Sequence, residues 1–327
     1  MLGAAVGDAL GSAYEFVPSS QIRAMAGSFI LDYQPAVPGS LLSPRDAGIP
    51  TDDTAMALSL AGALTAPPPF TADAIAERFV RDLSRDGAFG VMFLHGGPGN
   101  ACVSMLRALG QGARPFERID ANAGGNGAAM RAHPCGVFAD RVMVASVSAV
   151  QAQLSHPHPG AVAAAETVAL SVHDAIFHTT LRRELPPEIS DPTMRRAWTE
   201  AHRHVEAGSD PLPSHLLDVD MAGWNTVSAA HAIALLFAND LEKGVAAAAA
   251  SGGDTDTIGS ITGAMLGALH GISAIPNQWL RGLRYRQEIE CVANELADVS
   301  IDASLRHTTD GFISYDDRAL ASEGKEI

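Results

Sequence analysis

Along most of the chain, apolar residues recur at three- and four-residue intervals. Over residues 71–83 the positions Ile75, Phe79, Val80 and Leu83 share one helix face, and Glu77/Arg81 and Arg78/Asp82 pair at i,i+4 on the polar side. The same spacing predicts helices over 137–154, 161–177, 194–206 and 227–237, the first stopped by His156-Pro157-His158-Pro159. Alternating strand patterns bounded by turn pairs are scarce. The pattern predicts an all-α fold.

Residues 256–271 carry the most information. Gly259, Gly263, Gly267 and Gly271 recur every fourth residue and so fall nearly in line on one helix face. Each glycine costs roughly 1 kcal/mol against alanine inside a helix. Four in line predict a central helix that another helix approaches very closely. Loops are expected at 35–50, 67–69, 96–99, 123–127 and 186–192. None is long enough for an interdomain linker, so one compact helical bundle is expected over residues 1–310, with a polar tail over 311–327.

Composition sharpens this picture. Of 327 residues, 47% are hydrophobic, 18% charged and only 6% aromatic, and small residues are frequent, which favours closely packed helices over a sheet sandwich. The net charge of −15 and the lack of a basic stripe argue against an extended nucleic-acid groove. Cys102, Cys135 and Cys291 are isolated and odd in number, as expected of reduced thiols in a cytoplasmic protein. Asp8 and Glu15 interrupt the apolar start, so no signal peptide is expected, and no uncharged stretch looks long enough to span a membrane.

Two acidic runs each open a helix: Thr51-Asp52-Asp53-Thr54, and Gly252-Gly253-Asp254-Thr255-Asp256-Thr257. Either alone reads equally well as a helix cap, since Asp and Thr are favoured there. As a pair they point elsewhere. Adjacent carboxylates repel unless something neutralises them, and oxygen-only donors suit Mg²⁺ or Mn²⁺ better than Zn²⁺. An EF-hand is excluded by Ile258 at the third ligand position. Two metals bridged by carboxylates from both runs would be suited to activating a water. The double glycine before Asp254 would let backbone or ligand come close.

Weaker signals accompany these. The segment Gly3 to Glu15 delivers a glutamate to a loop start, where an exposed residue at a helix end is the bland alternative. Gly124-Gly125-Asn126-Gly127, running into a helix through Met130 and Arg131, is a phosphate-cradling pattern without the Lys-Ser/Thr of a P-loop. HExxH, CxxC and GxSxG are absent, and His202, His204 and the histidines of 156–178 read as surface or capping residues.

Taken in order, GDALGSAYE, TDDT, GNGAAMR and GGDTDTIGSITGAMLGALHG followed by IP resemble the ADP-ribosylglycohydrolase family, over residues from the start to about Trp279. That family includes the glycohydrolase that reactivates dinitrogenase reductase and the ADP-ribosyl-arginine and ADP-ribosyl-serine hydrolases. The resemblance implies an all-α fold around a binuclear Mg²⁺ or Mn²⁺ centre. It implies Thr51, Asp52 and Asp53 as one half of the metal site, and Asp254, Asp256 and Thr257 as the other. Glu15 matches a glutamate on a gating loop; Gly125, Asn126 and Gly127 match the loop that meets the diphosphate and distal ribose, with Met130 beside them. His156, in Gln153-Leu154-Ser155-His156, matches a histidine beside the substrate. Glu15, Asp53 and Asp254 are the expected catalytic carboxylates.

The implied reaction is hydrolysis of the bond at C1″ of ADP-ribose carried by a protein side chain or a small molecule, releasing ADP-ribose. An arginine-type linkage is favoured over a serine-type one, because the composition looks bacterial. A non-catalytic ADP-ribose-binding relative and a dimetal phosphatase are the alternatives. A monomer is expected.

Overall fold

The computed structural model describes residues 1–203 and 212–305. Fourteen α-helices lie in these residues: α1 (Leu2–Gly11), α2 (Ser19–Ala26), α3 (Asp52–Leu64), α4 (Ala72–Leu83), α5 (Gly90–Leu94), α6 (Asn100–Gly110), α7 (Arg141–Gln153), α8 (Pro159–His178), α9 (Pro192–Ala201), α10 (Gly223–Leu236), α11 (Leu241–Ala248), α12 (Thr255–His270), α13 (Asn277–Gly282) and α14 (Arg286–Leu305). Among the described residues there is no strand, only an isolated bridge between Gly125 and Ala222. The fold is all-α, as the spacing predicts.

Each predicted helix forms, with ends moved by local capping. Residues 137–154 become α7, which starts only at Arg141. There Asp140 Oδ1 accepts the backbone N–H groups of Val142 and Met143 at 2.9 and 3.3 Å, while residues 133–137 form a 3-10 turn. Residues 161–177 become α8, which starts at Pro159 because His158 caps it, its Nδ1 accepting from Gly160 N at 3.1 Å. In α9, Asp191 caps a start at Pro192, and the last predicted positions, 204–206, lie outside the described residues, as do His204 and the tail 311–327. On α4 the buried face is Ile75, Ala76, Phe79, Asp82 and Leu83, with Val80 half-buried. Asp82 is thus not on the polar side. It takes both Arg78 at 2.5 Å, the expected pair, and Arg81 at 3.0 Å, so Arg81 pairs with Asp82 rather than with Glu77.

At the centre is α12, packed against α1, α8, α10 and α11. The close neighbour foreseen for its glycines is α1, which carries its own glycines every fourth residue. A Cβ on Gly7 would sit 2.0 Å from Gly259 O, one on Gly3 2.3 Å from Gly263 O, and one on Gly11 2.1 Å from Thr255 O. No side chain larger than hydrogen fits this seam. Gly271 does not belong to it: with φ +74° it follows the last turn of α12, where its N–H closes on Gly267 O at 2.9 Å.

Helix α8 has the length and hydropathy of a membrane span, despite Glu166 and Asp174 within it, and 78% of that stretch is buried inside the fold. Its apolar surface packs on α7, α9, α10 and α12.

Candidate active site

The seam between α1 and α12 brings two helix starts together. Thr51 caps α3, its Oγ1 accepting Asp53 N–H at 3.2 Å. Asp8, from the middle of α1, supplies the rest of the cap. Its carboxylate accepts Thr51 N–H at 2.9 and 3.0 Å, Thr54 N–H at 3.2 Å and the Thr54 hydroxyl at 2.5 Å. With the orphan amides of α3 taken by Asp8 and Thr51, the side chains of Asp52 and Asp53 are released for other work.

The other half is set by a turn. Gly252 and Gly253 have φ of +78° and +71°, which glycine adopts without strain, and a Cβ on Gly252 would lie 2.1 Å from Asp218 Oδ1. The double glycine is therefore required by the turn and by Asp218, which caps Ser19 at 2.7 Å, rather than by the approach of a ligand. The turn leaves Asp254 at the head of α12 and bonds Phe16 N–H through Gly253 O at 2.7 Å, tying down the residue next to Glu15.

Glu15 is buried, contrary to the bland reading of an exposed helix end. One carboxylate oxygen from each of Glu15, Asp254 and Asp256 lies within 4.8 Å of the others. Asp52, Asp53 and Asp8 are close enough for their charge to be felt in the same space, and Asp52, Asp53, Asp254, Asp256, Thr51 and Thr257 are all buried. The electrostatics are severe. Burial, then the charges of Asp254, Asp52 and Asp8, push the Glu15 carboxyl up to about 9. Burial first and neighbouring carboxylates second hold Asp52, Asp53 and Asp256 well above the usual carboxylate range, and burial lifts Asp8 to about 6 against its four hydrogen bonds. Arg45 offsets part of this charge, while its own donors go to the carbonyls of Pro50 and His95.

Two oxygens in this cluster, Glu15 Oε2 and Asp53 Oδ2, are buried without a hydrogen-bond partner. Orphaned carboxylate oxygens among oxygen-only donors are what a hard divalent cation would satisfy, so the residues present fit such an ion. A second group, His173, Asp174 and His178, also clusters, but Asp174 is held by Arg141 and Arg182 and His173 Nδ1 by Phe138 O at 2.9 Å. That cluster is a structural tie.

The glycine loop forms one wall of the site. Asn126 Nδ2 donates to Asp254 Oδ2 at 2.8 Å and to Thr226 Oγ1 at 3.2 Å. No α-helix follows the loop; residues 127–131 are turns leading into the 3-10 segment at His133, so a helix terminus does not serve it. Instead Met130 N–H closes on Asn126 O at 3.0 Å, the Met130 side chain is buried, and Arg131 turns fully inward. His156 packs on the loop: a Cβ on Gly127 would lie 2.8 Å from its Cε1 and one on Gly125 3.4 Å from its Nε2.

The sequence reading did not single out Asp8, Arg45, Asp218 or Thr226. Asp8 alone left a signal, as the one charge inside the apolar, glycine-striped α1; Arg45 and Asp218 sit in loops, and Thr226 lies in the first turn of α10 with no periodic mark.

The ADP-ribosylglycohydrolase family model matches residues 1–305. The chain belongs to the ADP-ribosylglycohydrolase family. It is 28% identical over 307 residues to the ADP-ribosylarginine hydrolase Tri1 of Pseudomonas putida (strain GB-1), covering 91% of this chain and 76% of that one. It is also 28% identical over 297 residues to the ADP-ribosyl-[dinitrogen reductase] glycohydrolase of Rhodospirillum rubrum, covering 88% and 90%. A solved ADP-ribosylglycohydrolase-related protein complex superposes with a TM-score of 0.68 at 25% identity, over 91% of this chain and 95% of that one. The motifs that suggested the family are those now seen converging around Glu15, Asp53 and Asp254.

Proposed function

We propose that this ADP-ribosylglycohydrolase family member is a divalent-metal-dependent hydrolase that cleaves the C1″ bond of ADP-ribose attached to an arginine-type acceptor, releasing ADP-ribose. The observation that carries the metal dependence is the convergence of buried carboxylates around two unpartnered oxygens, Glu15 Oε2 and Asp53 Oδ2. The arginine linkage draws support from the resemblance to the Pseudomonas putida ADP-ribosylarginine hydrolase.

Thr51, Asp52 and Asp53 on one side and Asp254, Asp256 and Thr257 on the other would hold two Mg²⁺ or Mn²⁺ ions. When bound, such ions anchor ribose hydroxyls and polarise a water. Asn126 fixes the orientation of Asp254 through its 2.8 Å bond. Glu15, lodged beside Asp254 and Asp256, would take the proton of the attacking water in its ionised form. The charges of Asp53 and Asp254 face the positive character that develops on the ribose. The Gly125–Gly127 backbone carries the diphosphate, with His156 behind it and Met130 filling the base of the loop. We further propose that the chain works as a monomeric single domain over residues 1–310 in the cytoplasm.

The test is a panel of arginine- and serine-linked ADP-ribosyl peptides incubated with Mg²⁺, Mn²⁺ or EDTA, with free ADP-ribose as readout. Release from the arginine-linked peptide that EDTA abolishes is the expected result. Release that persists in EDTA overturns the metal reading, and no release from any substrate overturns the activity.

A further inference from the structure

Arg131 is wholly buried and makes no hydrogen bond to a carboxylate. Its five N–H donors are nonetheless occupied. Nε donates to Gln151 Oε1 at 2.7 Å; Nη1 donates to Gly127 O at 2.8 Å and faces the sulfurs of Met56 and Cys102; Nη2 donates to Gln151 O at 3.0 Å and to Ser155 Oγ at 2.7 Å. The Phe79 ring lies 5.2 Å from the guanidinium carbon. Gln151 Nε2 returns to Ala128 O at 3.0 Å, so the frame grips the glycine loop at two carbonyls.

The consequence lies one bond further on. A guanidinium has no acceptor, so Ser155 Oγ must accept from Nη2. Ser155 is buried, and its other contact is His156 Nδ1 at 2.8 Å. If Nδ1 carried the imidazole proton, the serine hydrogen would be left buried without an acceptor, at a cost of about 1–3 kcal/mol. If the serine donates to Nδ1, every hydrogen in the chain is used. The imidazole proton then sits on Nε2, the edge that meets the Gly125–Gly127 backbone.

We propose that Arg131 and Ser155 are positioning residues that fix His156 as the neutral Nε2–H tautomer, presenting an N–H donor to an acceptor oxygen of the ligand on the glycine loop. The identity of that ligand, an oxygen-rich anion such as ADP-ribose, rests on the function proposed above; the tautomer does not. Burial, with the charge of Arg131 behind it, lowers the His156 pKa to about 3 and keeps the ring from taking a second proton.

Nitrogen NMR of ¹⁵N-histidine-labelled protein tests this, with His156 assigned by its loss in His156→Ala. The expected spectrum has Nε2 protonated and Nδ1 bare, unchanged between pH 5.5 and 8. In Ser155→Ala the two tautomers mix, and in Ser155→Thr, which keeps the hydroxyl, the wild-type pattern returns. Calorimetry with ADP-ribose should find His156→Gln, whose amide N–H reaches the Nε2 position, within about threefold of wild type, and His156→Asn weaker by roughly tenfold, one hydrogen bond's worth. A protonated Nδ1 in the wild type, or a Ser155→Ala spectrum identical to wild type, overturns the proposal. Wild-type protein that does not bind ADP-ribose overturns the proposed function instead, and the nitrogen shifts still decide the tautomer.

Discussion

At the scale of single residues, the site works by giving each carboxylate a different neighbour. Asp8 is used up as a cap, Asp254 is held by an amide, and Glu15 Oε2 and Asp53 Oδ2 are left bare. Asn126 is the residue on which this division turns, because its Nδ2 donates to Asp254 Oδ2 and Thr226 Oγ1 at once. Asn126→Asp keeps the shape but replaces the donor with an acceptor, placing two carboxylate oxygens about 2.8 Å apart. In a site where burial and like charge already hold protons on the acids, that adds repulsion without a compensating bond. The expected result is a loss of roughly 10- to 100-fold in kcat/KM for ADP-ribose release, with a higher Mg²⁺ requirement and little change in unfolding midpoint. Initial rates over a Mg²⁺ titration check it, and wild-type kinetics in the variant would show that the bond has no part in the reaction.

At the scale of elements, the governing contact is backbone on backbone between α1 and α12. Gly7→Ala would put a methyl carbon 2.0 Å from Gly259 O, and neither partner has a side chain that can swing away. The helices must part, which predicts destabilisation of about 3 kcal/mol or more and loss of the Asp8 cap next door. Gly110→Ala, at the end of α6 with nothing near its Cβ position, is the matched control and should be neutral or stabilising by up to about 1 kcal/mol. Urea denaturation of both variants checks the pair; equal midpoints would mean the seam yields. This seam was largely legible in the sequence, because a four-residue glycine period has few causes. The glycines Gly3, Gly7 and Gly11 also mark their segment for tight helix packing, but nothing in so short a run says that its partner is α12. The acidic pair was legible for the same reason, being chemistry that costs stability unless used. The glycine loop misled: nothing in Ala128–Arg131 marks a chain that turns instead of winding into a helix, because the cause is Arg131 bonding back to Gly127 O and across to α7.

At the scale of the whole molecule, buried acids and buried histidines pull its pH response in opposite directions. The carboxyls have folded pKa values raised above their unfolded ones, so their contribution is fully present below pH 4 and lost as pH rises through about 6 for Asp8 and about 9 for Glu15. The histidines are depressed by burial, His202 to about 4 and His231 well below the usual imidazole range, and they share a hydrogen bond at 2.9 Å; their contribution is present above about 6.5 and is lost for His202 as pH falls through about 4. A divalent cation in the acidic cluster would hold the carboxylates ionised and remove the first of these effects. Protons and metal then compete for the same oxygens. The stabilisation by saturating Mg²⁺ or Mn²⁺ should therefore be largest near pH 8, about 3 kcal/mol at a hundred times Kd, or roughly 5 °C in Tm for a chain of this size, and should shrink by pH 5.5. Thermal melts in EDTA and in Mn²⁺ across that range read the difference directly. In Asp256→Asn, which removes one carboxylate from the cluster, the metal-dependent shift should fall at every pH while the acid-side loss due to the histidines stays. A metal shift that grows on acidification, or that survives unchanged in Asp256→Asn, would mean the cation binds somewhere other than between α3 and α12.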